Sequence, residues 1–197
     1  NCYYVDADLA TAEVFSIAYL ANDKKLIATL TDPDPQFGLI LDEKGKEKPV
    51  RIAYIDEIVP MTDAAKDPSL LHDINDPKLL RDDNGELRHP KQDVHWAACE
   101  NKWFLNTPRE KLDKNSTRDA AGKASNFQIP YQASATLLER MIEVATGHPP
   151  AEGTGEKLIL AYKMTKPDVD KWLEERKQEV LEKQCYISPT GFKRHYI

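Results

Sequence analysis

The sequence predicts an α+β chain that is mostly helical, with a short opening β-run and an inserted acidic region rich in β-hairpins. Three observations predict this class. Apolar residues recur at helical spacing through 9–30, 134–147, 156–164 and 169–183. Turn signals and β-prone runs dominate 33–90, which holds seven of the thirteen prolines. The acidity is also local. Residues 32–86 carry fourteen Asp/Glu against seven Lys/Arg, and the remainder is nearly balanced. The overall charge of −6 therefore leaves room for nucleic-acid phosphate contacts outside that region.

At 197 residues, 41% hydrophobic and 30% charged, the chain is long enough for a real core and reads as soluble and globular. No apolar run approaches a membrane span, and no signal-like segment opens the chain, so no membrane partner is expected. Cys2, Cys99 and Cys185 are scattered and read as reduced and structural, in a cytoplasmic setting.

Taken in order, Cys2-Tyr-Tyr-Val-Asp-Ala-Asp8 reads as a strand that places Asp6 and Asp8 on one side. A single helix is expected from Leu9 to Leu30, on Val14, Ile17, Ala18 and Ala21. Asp8, where strand enters helix, either caps that helix or holds a hard cation such as Mg²⁺. In 33–90, four Asp-Pro pairs punctuate loops. Leu39-Ile-Leu41 and Val50 to Ile55 flank a turn near Gly45, and Asn84-Gly85 reads as a type I′ turn. This region is either a solvated acidic module or a docking surface for another protein.

His95 opens an apolar helix running toward Trp103. Asn115-Ser-Thr117 supplies the expected N-cap of the next one, which carries Lys123-Ala-Ser-Asn-Phe-Gln-Ile-Pro-Tyr131. Lys123, Phe127 and Tyr131 fall four apart and share a helical face. That face is either an amphipathic stripe with a snorkelling lysine or a cation and two rings seating a nucleoside triphosphate. Arg118 precedes Lys123 by five residues, about 140° past one α-turn, so the two share a face only if the helix is locally distorted. Pro130 should end or kink the helix. Ser134 to Gly147 reads as a helix stopped by glycine, and Glu156 to Met164 as a short one. Asp168 is expected to cap Val169 to Lys183, burying Val169, Trp172, Leu173, Val180 and Leu181. Lys193 and Arg194 lie in a basic tail.

Several of these segments, in this order, resemble the DNA polymerase I-like family (family A). Val5-Asp-Ala-Asp8-Leu9 through Asp23 resembles motif A, Lys123 to Tyr131 with Asn126 resembles motif B, and Asp93-Val-His95 resembles the segment that begins the fingers. Tyr162 to Val169 and Gly191-Phe-Lys-Arg194 resemble later family segments. The resemblance implies a palm–fingers portion, phage-type, split or truncated before motif C, whose second carboxylate a further chain would carry. It divides the chain into a palm segment at 1–32, the acidic insertion at 33–90, fingers at 91–165, and a long helix returning toward the palm at 166–197.

By the same resemblance Asp8 and the Leu9 carbonyl are Mg²⁺ ligands, and Glu13 is a steric gate that excludes ribose. His95, Arg118 and Lys123 contact the triphosphate of a dNTP, and Phe127 and Tyr131 stack at the nascent pair. Lys193 and Arg194 contact primer-template DNA. Departures are plain: Phe15 and Asp119 stand where the family usually has arginines, and Gln128 and Gln132 replace glycines. The implied activity is template-directed DNA polymerisation (nucleotidyl transfer) in a host cytoplasm, completed by a second polymerase chain carrying motif C, and the isolated chain is expected to be inactive. A non-catalytic DNA- or protein-binding relative is the alternative. A single-subunit RNA polymerase is a third reading, against which Glu13 argues.

Overall fold

The computed structural model describes residues 12–52, 71–187, 191 and 193–195, with backbone alone for Tyr186, Arg194 and His195. Among the described residues the fold is α+β, with seven α-helices and two separate two-stranded antiparallel sheets.

The helix expected over 9–30 is two helices, α1 (Ala12–Leu20) and α2 (Lys24–Thr31). Asn22 adopts φ 52°, and Asp23 caps α2 by accepting the Leu26 N–H at 2.8 Å. A capping carboxylate satisfies an N–H that a new helix leaves free, so the chain restarts there.

Strand β1 (Phe37–Leu41) pairs with β2 (Glu47–Arg51), placing Phe37 opposite Arg51. In the turn, Asp42 Oδ1 accepts the N–H groups of Lys44 and Lys46, and Gly45 takes φ 72°. Residues 82–86 repeat this arrangement, with Asp82 Oδ1 accepting from Asn84 and Glu86 and Gly85 at φ 82°. The type I′ turn expected at Asn84-Gly85 needs positive φ at both positions, and only Gly85 has it. The Asp82 side chain holds a wider turn instead.

Helix α3 (Val94–Glu100) is capped by Asp93, whose Oδ1 accepts the N–H groups of His95 and Trp96. After a 3₁₀ turn at Arg109–Lys111 comes a π-helix, Lys114–Gly122, that runs without a break into α4 (Lys123–Gln128). Its cap is Asp113, which accepts the Ser116 N–H at 2.8 Å, rather than Asn115 to Thr117. Pro130 falls in the 3₁₀ turn Ile129–Tyr131 that ends α4, with Gln132 left-handed behind it. Helix α5 (Ala135–Thr146) starts on Ser134 and stops at Gly147. Helix α6 (Thr154–Thr165) leads through Lys166 into α7 (Pro167–Lys183). Pro167 opens α7, and Asp168 lies in its first turn instead of capping it. Strand β3 (Cys185–Ile187) pairs with β4 (Lys193–His195).

The main core gathers Val14, Ala18 and Leu26 with Leu138, Ile142, Leu158 and Val169, closed by Ala120, Ala121 and Ala124. Val169 is fully buried in α7, whereas Trp172, Leu173 and Val180 are half-buried and Leu181 is exposed. Val50, Ile52 and Leu79 form a second, small core within the acidic region.

That region is latched to the helices rather than simply solvated. Phe37, fully buried, lies between two guanidiniums, Arg51 at 4.6 Å and Arg109 at 4.0 Å from its ring centroid. Arg51, 3% exposed, reaches Glu100 of α3 at 2.7 Å and Glu110 at 3.0 Å, and donates to Gln36. Arg109 binds the other oxygen of Glu100 at 2.8 Å. Removing one member of a buried ion network strands its partners, so Arg51→Ala should cost about 3 kcal/mol in chemical denaturation. A loss within about 0.5 kcal/mol, the range of ordinary surface changes, would show that the latch contributes nothing.

Candidate functional site

The candidate site is built where the π-helix and α4 cross α3. Gly122 makes the crossing close. A Cβ there would stand 2.5 Å from the His95 carbonyl oxygen and 3.1 Å from Cys99 Sγ. Asn126, one α-turn on, is fully buried and fastens the two helices. Its Nδ2 donates to the Val94 carbonyl at 3.0 Å and the Gly122 carbonyl at 3.1 Å, and lies 3.2 Å from His95 Nδ1.

The backbone at the π–α junction settles how Arg118 and Lys123 relate. The Lys123 N–H is shared between the Ala120 carbonyl, three residues back, and the Arg118 carbonyl, five residues back. A five-residue hydrogen bond sets residues i and i+5 one above the other, which removes the divergence an α-helix would impose. Both side chains then reach Asp119. Arg118 Nη1 binds Asp119 Oδ1 at 2.5 Å, and Lys123 Nζ lies 3.5 Å from that oxygen. Lys114 Nζ binds Oδ2 at 2.6 Å. Arg118 also binds Asp93 at 2.6 Å through Nε. Three cations and two carboxylates thus share one half-exposed surface.

The electrostatics follow the contacts. The Lys114 hydrogen bond, aided by Arg118 and by the charge of Lys123, holds the Asp119 carboxyl down at about 2. Burial pushes Asp93 up, but its bonds from Arg118 and the Trp96 N–H outweigh this and leave it below the usual carboxylate range. Burial lowers His95, against the pull of Asp93 and the Gly122 carbonyl, so the imidazole is neutral at pH 7.

The residues singled out from the sequence fall as follows. Lys123 is exposed and Arg118 half-buried in the cluster just described. Phe127 is half-buried against the His95 ring, with centroids 5.3 Å apart and planes at 50°. His95 itself is 4% exposed, behind Phe127 and Asn126. Tyr131 is exposed on the 3₁₀ turn, so the four-residue stripe does not continue as α-helix beyond Gln128. Glu13 is exposed in the first turn of α1. Lys193 is exposed on β4, and Arg194 pairs through its backbone with Tyr186. Asp6, Asp8 and Leu9 lie outside the described residues. Among the described residues, no group of three or more His, Cys, Asp or Glu side chains gathers closely enough to hold a metal ion.

Three residues of the site were not anticipated as members: Asp93, Asp119 as the shared counter-ion, and Gly122. The Gly122/Asn126 pair at i, i+4 is the one sequence signal that could have marked the crossing. No protein-family model matches the chain, and no curated protein or solved structure matches it.

Two predictions follow from this geometry. Gly122→Ala must push α3 away from the π-helix, because the added carbon meets the His95 backbone, and should destabilise by about 2–3 kcal/mol in denaturant titrations. A wild-type midpoint would refute the close crossing. Asp119 has a folded pKa below its unfolded value, so its stabilisation is complete above the unfolded pKa and lost as pH falls toward about 2. Melting temperatures of wild type and Asp119→Asn should therefore differ most at pH 5–7 and converge near about pH 2.

Proposed function

We propose that this chain is the palm–fingers part of a template-directed DNA polymerase, with Arg118, Lys123, Phe127 and Tyr131 seating the incoming dNTP. The observation that carries this reading is the convergence of Arg118, Lys123 and Lys114 on a single carboxylate, Asp119. Cations arranged around one acidic group are arranged as a phosphate requires. The i→i+5 bond from Lys123 to Arg118 supports the same reading, since it supplies the helix distortion that the spacing of these two residues demands.

In this reading Lys123 and Arg118 neutralise charge on the triphosphate as it moves toward the primer end. Phe127, braced by the His95 ring, and Tyr131 pack against the nascent pair. His95 acts from behind Phe127, and Glu13 excludes a 2′-OH. Lys193 and Arg194 contact the backbone of primer-template DNA. Asp8 and the Leu9 carbonyl would hold Mg²⁺ together with a carboxylate from a second chain carrying motif C, with water and phosphate oxygens filling the rest of its shell. Bound there, Mg²⁺ would supply charge stabilisation at the transferred phosphoryl group.

A second reading, a non-catalytic relative that binds DNA or protein, is favoured by one specific observation. Asp119 already occupies the cations that a triphosphate would need, and Arg118 is held twice, by Asp93 and Asp119.

Binding of a fluorescent dNTP and primer extension separate the two. Lys123→Ala should weaken dNTP binding about tenfold, the equivalent of about 1.4 kcal/mol, and Asp119→Asn should strengthen it. Extension should require a supplied chain carrying motif C and should vanish in Asp8→Ala. Extension that survives Asp8→Ala removes Asp8 from the chemistry. Absence of dNTP binding, with DNA binding intact, selects the non-catalytic reading.

A further inference from the structure

A cavity of about 330 Å³ lies between α2, α3, the segment leading into β1, and the α6–α7 junction. That volume is in the range of small-molecule sites. Four cations and three carboxylates line it: Lys25, Arg51, Arg109 and Lys166 against Asp34, Asp93 and Glu100. Most of this charge is already matched. Arg51 and Arg109 hold Glu100, Arg109 lies 3.6 Å from Asp34, and Asp93 holds Arg118. Among the described residues, the two lysines have no ion-pair partner. Lys25 is exposed at the mouth, and Lys166 is 6% exposed in the depth.

The environment of Lys166 is unusual for an ammonium. Its Nζ lies 4.4 Å from the centroid of the Tyr162 ring. Among the described residues no carboxylate stands within ion-pairing distance of it. Asp23 contributes a longer-range field, but its Oδ1 accepts the Leu26 N–H and its Oδ2 has no partner among the described residues. Burial lowers Lys166 to about 8, so it still carries its charge at pH 7. A buried ammonium without a counter-ion is costly, and a ring face compensates only part of that cost.

We propose that this cavity binds a small phosphate-bearing anion, held by Lys166 from below and Lys25 from the mouth. Two cations with no carboxylate partner among the described residues match a phosphate dianion better than a carboxylate. Burial raises the Asp34 carboxyl against the pull of Arg109, and the Arg109 guanidinium, 3.6 Å away, offsets its charge in the same space. Thr29, Gln92 and Thr165 also line the cavity, with their side chains donating to the carbonyls of Lys25, Pro33 and Ala161. This inference does not depend on the polymerase reading, since it uses none of Lys123, Phe127 or Tyr131.

The test is thermal unfolding of the full chain with inorganic phosphate against chloride at equal ionic strength, with ribose 5-phosphate as a second arm. At about tenfold excess over Kd, phosphate should raise the melting temperature by about 4 °C. A larger rise with ribose 5-phosphate shows that the cavity takes a phosphorylated small molecule, and an equal rise shows free phosphate as its ligand. Lys166→Met should lose the shift and Lys123→Ala should keep it. No shift in wild type, an undiminished shift in Lys166→Met, or a shift lost only in Lys123→Ala overturns the proposal.

If Lys166→Met fails to fold, the wild-type pH profile decides. The groups facing Lys166 are Asp23, Lys25, Cys99 and Tyr162. Cys99 and Tyr162, both raised by burial, stay protonated to pH 9.5. Phosphate affinity should fall several-fold between pH 7 and 9.5, against the trend of phosphate itself, which gains charge over that range. An affinity that holds or rises refutes the role of Lys166.

Discussion

The Gly122 backbone rests against the His95 carbonyl, where any Cβ would be driven to 2.5 Å, and the arrangement of the candidate site follows from that contact. A helix pair this close cannot be held by bulky side chains. It is held instead by Asn126, which satisfies two carbonyls at once, and by the alanines at 120, 121 and 124 on the buried side. Close approach also leaves the cationic side chains of the π-helix and α4 with one direction to take, outward past Asp93 and Asp119. The π-helix belongs to the same constraint. It widens the helix just before the crossing and turns Arg118 toward the surface that Lys123 occupies. Local backbone geometry, packing and surface charge are therefore one decision taken at a single glycine.

The acidic region attaches to this frame by an unusual joint. A phenylalanine between two guanidiniums combines apolar burial with cation–π attraction, and the same guanidiniums are neutralised by Glu100 and Glu110. Among the described residues, most carboxylates of 33–90 face solvent, whereas Asp34 is buried beside Arg109 and the other carboxylates that hold the region come from α3 and the segment after it. A region that looks like a charged appendage by composition is thus fixed by a buried contact whose two arginines lie 14 and 72 residues from Phe37.

Much of the secondary structure was legible because its signals are local. Ser134 and Gly147 bracket α5, Gly45 sits in the first hairpin turn, and Pro130 ends α4. What was not legible needed information the pattern does not carry. Asn22-Asp23 reads as two polar positions inside an apolar periodicity, and nothing in that periodicity distinguishes a solvent-facing turn from a restart. Leu181 keeps the period of α7 but is exposed. α7 has seventeen residues and its neighbour α6 twelve, so its last turns have less to pack against. The π-helix was legible only as a condition, the distortion that would bring Arg118 and Lys123 together. Of the candidate site, the cations and rings could be named from sequence. The counter-ions could not, since Asp93 and Arg118 are 25 residues apart and meet only because Gly122 lets α3 come close.

Asp119 sets the terms on which any anion can bind this surface. It gathers Lys114, Arg118 and Lys123 around a carboxylate held at about 2, so at neutral pH it is fully charged. An incoming phosphate must compete with it or share its cations, and sharing brings like charges together. Two features moderate the competition. The Lys123 contact, at 3.5 Å, is the loosest of the three, and its side chain is about half exposed, so it can leave Asp119 at little cost. Arg118 retains Asp93 through a separate nitrogen, so swinging its other nitrogens away does not abandon a charge. A triphosphate that recruits Lys123 first and Arg118 second therefore meets a graded barrier. Affinity at this surface depends on how far Asp119 can be displaced toward Lys114, and that displacement is the step by which an internally neutralised helix would become a phosphate-binding one.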